Sequence, residues 1–288
     1  MWLPLSLSYA LLTSLHIPTI KILSQKRSVF CFIFINSLFV MPLLTILLLI
    51  NGLPKVNLLF YFYVAVASLI DFLAYSLAVW SFKHFEISLV SPSGSFSPLL
   101  VTLFGFLFLS ETVSLQKILA IILIVVGAYF LNVSTIKSGL LRPFKQLFLS
   151  KGVRYFIFAN ILWSLYPIFQ KKALMESFPA SPLYNSLLTM VFLAIFSVPF
   201  LFFKKEKIKI NKKDFLFFVL SAVIVVLQLV TELTSYYLTN VGFSTAVFKT
   251  SILFTVIWGK IFFKEAGFKE RIFGTSIMLL GIVILALT

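Results

Sequence analysis

Acidic side chains are scarce in this chain. Nine Asp and Glu stand against 24 Lys and Arg, and charged residues fill only 11% of 288 positions. An average soluble chain is roughly 25% charged, so a soluble domain of this size is excluded. Histidine and cysteine are scarcer still, at two and one. No D-x-x-x-D or H-x-x-x-H spacing occurs. A membrane-embedded lipid-modifying enzyme needs clustered carboxylates for a metal, or a base beside a nucleophile. It therefore stands only as an alternative reading, and no metal site, cofactor or catalytic residue is expected. The lone Cys31 excludes an internal disulfide and, inside an apolar run, reads as a packing residue. The N-terminal stretch MWLPLSLSYALLTSLHIP has no basic flank and no small-residue cleavage site. It reads as a retained first helix rather than a signal peptide.

Apolar residues are plentiful. They make up 60% of the chain, and mean hydropathy is +1.08. Runs of about 20 apolar residues recur throughout, which predicts a polytopic helical membrane protein. The runs do not alternate polar with apolar, so an outer-membrane barrel is excluded. The predicted spans are 3–23, 29–50, 58–82, 86–108, 114–132, 153–174, 182–203, 214–238, 243–263 and 269–287. The charge of +15 belongs to loops facing anionic lipid, not to a nucleic-acid surface. All Lys and Arg except Lys55, Lys117, Lys171, Lys172 and Lys249 lie at the loops after odd-numbered spans. The positive-inside rule puts those loops in the cytoplasm and both termini outside.

The stretch Ser88–Leu131 returns 154 residues later as Gly242–Leu285, without gaps. Gly105, Phe108 and Glu111 meet Gly259, Phe262 and Glu265, so a G-x-x-F-x-x-E closes spans 4 and 9 alike. Gly127 meets Gly281 at the same offset. Earlier in each half, Ser14, Leu15 and Lys21 match Ser164, Leu165 and Lys171 at an offset of 150. Leu73 and Ser81 match Leu227 and Ser235. The chain is a duplication, read as a first unit 1–134, a basic connection 135–151 and a second unit 152–288. Five spans per unit is odd, so the second unit enters the membrane upside down. Inverted repeats of that kind are typical of secondary transporters.

This 5+5 pattern resembles the drug/metabolite transporter superfamily, in its ten-helix EamA-type branch. The resemblance rests on SLHIPTIK, FLSETVSLQK, SLYPIFQK and FFKEAGFKE, at matching places in the two halves, and covers nearly the whole chain. It implies two inverted five-helix halves around a cavity lined by helices 1, 3, 4, 6, 8 and 9. It also implies export or exchange of small metabolites, with both termini in the cytoplasm. Charge and resemblance thus point to opposite orientations, and import or export stays open.

Ionisable groups within a span are costly and usually face a cavity or a partner. Asp71 and Glu232 are the two acids inside spans. Gln228 and Glu232, four apart, share a face; Glu232 would bind an amine or carry a proton, or form a buried pair. Asp71, a turn from Tyr75, would couple or bind, or make an interhelical hydrogen bond. Lys249 lies too deep to snorkel and would clamp a substrate carboxylate or phosphate, or pair with Glu232 or Asp71. Ser95 matches it in SPSGSFSP, where Pro92, Gly94 and Pro98 break span 4 and turn it to the cavity. Trp163, Tyr166 and His16 are further wall candidates. Lys21 and Lys171 are expected to snorkel to the interface, or else to serve at a gate. Glu111 and Glu265 read as turn contacts or caps of the following helix, and Gly105 and Gly259 as close-packing positions. The expected protein is a transporter, monomeric or homodimeric, in the cell or inner membrane. Its substrate is a small polar or zwitterionic metabolite such as an amino acid, proton-coupled or exchanged. No P-loop is present, so ATP is not the drive; efflux of drugs or cations is the neighbouring reading.

Overall fold

A computed structural model describes residues 1–130, 150–204, 210–263 and 272–287. Among the described residues the chain crosses from end to end ten times. Helix 1 is Trp2–Ser24, helix 2 Val29–Asn51, helix 3 Leu58–His84, helix 7 Pro182–Lys204 and helix 8 Lys212–Leu238. Helices 5 (Leu115–Phe130) and 10 (Ile272–Leu287) are shorter. Helices 4, 6 and 9 are each broken. Helix 4 runs Ile87–Val90, a 3-10 turn at Ser91–Gly94, then Ser97–Leu109. Helix 6 is Lys151–Trp163 and Tyr166–Met175, and helix 9 is Val241–Phe248 and Ser251–Phe263. Six candidate spans, helix 9 taken whole among them, are long and apolar enough to cross a bilayer.

Local chemistry sets the boundaries. Ser28, Asn57 and Asn211 cap helices 2, 3 and 8, each accepting from a backbone amide three residues on. Helix 4 breaks where the sequence predicts. Helices 6 and 9 were expected whole, and both expectations are corrected. In helix 6, Pro167 has no amide to donate, and the preceding turn tightens to Ser164 N–H on Ile161 and Leu165 N–H on Leu162. Helix 9 has neither Pro nor Gly at its break. Its turn closes with Thr250 N–H on Val247 O and the Thr250 hydroxyl on the same carbonyl. The break at Lys249–Thr250 stands 154 residues after Ser95–Phe96, so the repeat alone marks the place.

Packing follows the duplication. Helix 1 packs on helix 8 as helix 6 packs on helix 3, while 2 with 7, 4 with 9 and 5 with 10 pair across the pseudo-twofold. The fold is therefore all-helical with two inverted five-helix halves. Outward faces are apolar, as lipid contact requires, and inward seams use small hydroxyls. Ser6, Ser235 and Ser244 form a 2.7 Å hydroxyl chain joining helices 1, 8 and 9. Ser81, the counterpart of Ser235, donates to the Gly152 carbonyl. Cys31 is buried in the largest described core cluster, as packing predicts. One feature has no sequence signal: Lys55–Val56 (β1) and Ser177–Phe178 (β2) form an antiparallel two-residue ladder joining the halves.

Close packing of helices 5 and 10 rests on Gly281. A Cβ there would meet Ile124 Cγ1 at 2.7 Å and the Ala120 carbonyl at 2.8 Å. Backbone cannot yield as a side chain can. Gly281→Leu is therefore expected to destabilise the protein by about 1–3 kcal/mol, the usual scale of overpacking. Thermal melting in detergent checks this, and an unchanged melting temperature would remove Gly281 from that role.

Candidate functional site

A cavity of about 210 Å³ opens where the broken helices meet. The breaks matter because helix interiors have no spare hydrogen-bonding groups, whereas interrupted turns bring side chains and backbone to a shared space. Helices 1, 3, 4, 6, 8 and 9 line it, and helices 2 and 7 add Asn36, Ser37, Met190 and Leu193. His16, Asp71, Tyr75, Trp163, Tyr166, Gln228, Glu232 and Lys249 all stand in its wall. Ser95 does not. It is buried behind the wall, and the winding of the 3-10 turn presents Ser91, and the restart of the helix Ser97, instead.

The two signs of charge are held apart. Lys249, at the break of helix 9, donates to Asn160 Oδ1 at 2.8 Å. Among the described residues no carboxylate lies within 4.0 Å of it, so the alternative ion pairs with Glu232 or Asp71 are not made. Asp71 accepts from Trp163 Nε1 at 2.7 Å, which ties helix 3 to helix 6. Trp163 thus orients a carboxylate as well as walling the cavity. Glu232 accepts from Tyr236 at 3.1 Å, one turn on in its own helix. Tyr9, Asp71 and Glu232 all face the same cavity.

Among the described residues, several buried polar atoms in this wall have no hydrogen-bond partner: Thr13 Oγ1, His16 Nε2, Tyr75 OH, Ser91 Oγ and Gln228 Oε1. An unpaired buried polar atom costs about 1–3 kcal/mol, so five around one cavity mark a surface made for a polar occupant. Phe248 supplies an apolar face, with the Tyr9 ring 4.0 Å and the Tyr236 ring 5.6 Å away, centroid to centroid.

Asn160 was missing from the expected set. It lies mid-span in FANILW, where one amide carries little sequence signal; a polar residue beside the break of helix 6 was the available hint. Its Nδ2 donates to Phe156 O at 2.8 Å, which frees Oδ1 for Lys249. A Cβ on Gly94 would overlap the Asn160 amide. Gly94 in helix 4 therefore lets helix 6 position the helix 9 ammonium. Gly94→Ala is expected to fold, because the amide can swing aside, and to raise KM about 10-fold or more through loss of a charge-assisted bond. Unchanged KM with unchanged stability would contradict that chain of contacts.

Two further expectations are corrected, and a third is extended. Lys171 and Lys21 lie near helix ends, but protein groups hold their ammonium groups there instead of leaving them to snorkel. Lys171 Nζ contacts Glu111 Oε1 and Thr239 O, both at 2.7 Å, and Lys21 Nζ donates to Phe85 O at 3.1 Å. Glu111 does cap a helix, but that helix is helix 9 of the other half. Its oxygens accept from Val241 N–H at 3.1 and 3.3 Å. Gly105 serves both that carboxylate and the close packing expected of it, since a Cβ there would lie 2.7 Å from Glu111 Oε2 and 3.2 Å from Val241 Cγ2 at the start of helix 9. Glu265 lies outside the described residues.

A solved structure described only as "Crystal structure of protein" matches with a TM-score of 0.74 at 11% identity, over 99% of this chain and 96% of that one. That likeness concerns the fold alone. No curated protein matches. The EamA-like transporter family matches residues 1–133 and again 150–287. With both inverted halves matched, the chain is a multi-pass membrane protein that belongs to the EamA-like transporter family.

Proposed function

We propose that the protein is a secondary active transporter, an exporter or exchanger, that moves a zwitterionic metabolite such as an amino acid by alternating access. The carrying observation is charge separation. Among the described residues, one cavity holds a lysine ammonium with no carboxylate within 4.0 Å, and two carboxylates with no cation within 4.0 Å. A substrate carboxylate would take the remaining donors of Lys249, and a substrate ammonium would sit at Asp71 and Glu232. Each substrate charge thereby exchanges water for an opposite fixed charge, which offsets its desolvation. Tyr75, Trp163, Tyr166, His16 and Gln228 would hold the uncharged part. About 210 Å³ is enough for a molecule of amino-acid size, not for a large lipid.

Two carboxylates against one lysine also favour a second reading, an organic cation gripped by aromatic walls. Counterflow in proteoliposomes separates the two. Vesicles are preloaded with pooled amino acids, nucleotides, sugar phosphates or organic cations. Exchange with the amino-acid pool is expected. Exchange with the organic-cation pool alone would replace the zwitterion by a cation.

A further inference from the structure

The cavity's Glu232–Tyr236–Thr245 end lies beneath a cluster of cross-half contacts on the face that carries both termini. The turn after helix 4 belongs to the first half; the turn between helices 8 and 9 belongs to the second. Both Ser110 and Glu111 donate their amides to the Gly105 carbonyl, and Ser110 takes positive φ, 55°. The chain reverses there and drops the Glu111 carboxylate into the space left by Gly105. From that place it holds Lys171 and the Val241 amide, Lys171 holds the Thr239 carbonyl, and Asn240 holds the Thr112 carbonyl at 3.1 Å. Directly below, the Thr245 hydroxyl donates to Val241 O at 2.7 Å, and Thr245 and Tyr236 line the cavity.

We propose that Glu111 and Lys171 are the latch of the gate on the termini-bearing face. When the pair is made, the turn after helix 4 is clamped onto the start of helix 9 and the cavity is shut from that side. Opening that side breaks the pair.

Two arguments carry this. The first is energetic. Glu111 and Lys171 side chains are only 8% and 17% exposed, yet they sit at the helix ends, beside the water they would meet on opening. Attraction in the closed state is then largely offset by hydration in the open one. A contact so balanced can break and re-form during a transport cycle, where an apolar seam of equal area would resist. The second is the repeat. Lys21 lies 150 residues before Lys171, Phe85 lies 154 before Thr239, and Lys21 holds the Phe85 carbonyl at the opposite face. The lysine-to-turn contact thus recurs at both faces, where alternating access requires two gates. A staple serving stability alone gives no reason for that placement.

The proposal rests on the alternating-access reading, but its test needs no substrate, so the two fail separately. Thr245→Cys, in a Cys31→Ala background, would be labelled by a membrane-impermeant maleimide applied to the termini-bearing face. Glu111→Gln is expected to raise the labelling rate at least about 10-fold, with melting close to that of the parent. Lys171→Gln provides an independent arm, because it leaves Glu111 on the Val241 amide while removing the ion pair, and it should raise labelling as well. Unchanged labelling in both variants would overturn the latch. So would misfolding of both, which would make the cluster a structural staple.

Discussion

Lys249→Met is expected to take substrate counterflow to background while the protein remains folded. The ammonium sits at the helix 9 break, and its one hydrogen-bond partner among the described residues is Asn160. An ammonium has three donors, so the others are available to an anion in the cavity. Truncating one partner of a buried charged contact costs about 2–5 kcal/mol, roughly 30- to 4,000-fold in affinity. Stability should hold, because Met keeps the length and apolar stem of Lys and removes a charge that no carboxylate balances. Initial counterflow rates and melting curves on one preparation check both halves of the prediction. Counterflow above about a third of wild type would remove Lys249 from the site.

Glu232→Gln is expected to raise KM by about 10- to 150-fold, the 1.5–3 kcal/mol scale of hydrogen bonds to charged groups. The amide preserves shape and can still accept from Tyr236, so only the charge is lost. Melting temperature should hold, because the amide keeps the Tyr236 contact. A KM like that of wild type would leave the ammonium to Asp71 alone, which Trp163 already fixes.

The contrast with Lys249 is informative. Loss of Lys249 removes the one lysine or arginine in the wall among the described residues, whereas loss of Glu232 leaves a second carboxylate in place. A zwitterion should feel the first change more strongly. An organic cation should feel only the second, and should be carried by Lys249→Met as well as by wild type.

Much of this was legible in the sequence because bilayers allow few solutions. A duplicated block of five apolar runs can span a membrane only with its halves inverted, so the arrangement followed from an odd count. Asp71, Glu232 and Lys249 were identifiable from their depth within the spans alone, since ionisable groups rarely enter spans without a task. Partnership was not legible. Lys249 finds Asn160 rather than an acid, and that choice depends on Gly94 admitting the amide from another helix. The G-x-x-F-x-x-E motif was visible as a pattern, and its glycine as a packing position, but the partners of its carboxylate were not. Gly105 and Glu111 belong together because one leaves the space the other fills, and the Glu111 partners come from the other half, far away in sequence. The motif's Phe108 is 53% exposed, on the outward surface, so it takes no part in that contact. The breaks in helices 6 and 9 show the same limit. Pro167 signals one, while the other has only its repeat position to announce it.

The most direct test of the central claim is counterflow with a matched set of three compounds: an amino acid that exchanges, its decarboxylated amine and its deaminated acid. A cavity with Lys249 and Asn160 toward one charge, and Asp71 and Glu232 toward the other, predicts that only the intact zwitterion exchanges efficiently. The amine should fail for want of an anion at Lys249, and the acid for want of a cation at the carboxylates. Exchange of the amine as fast as the amino acid would contradict the account and make the protein a cation carrier.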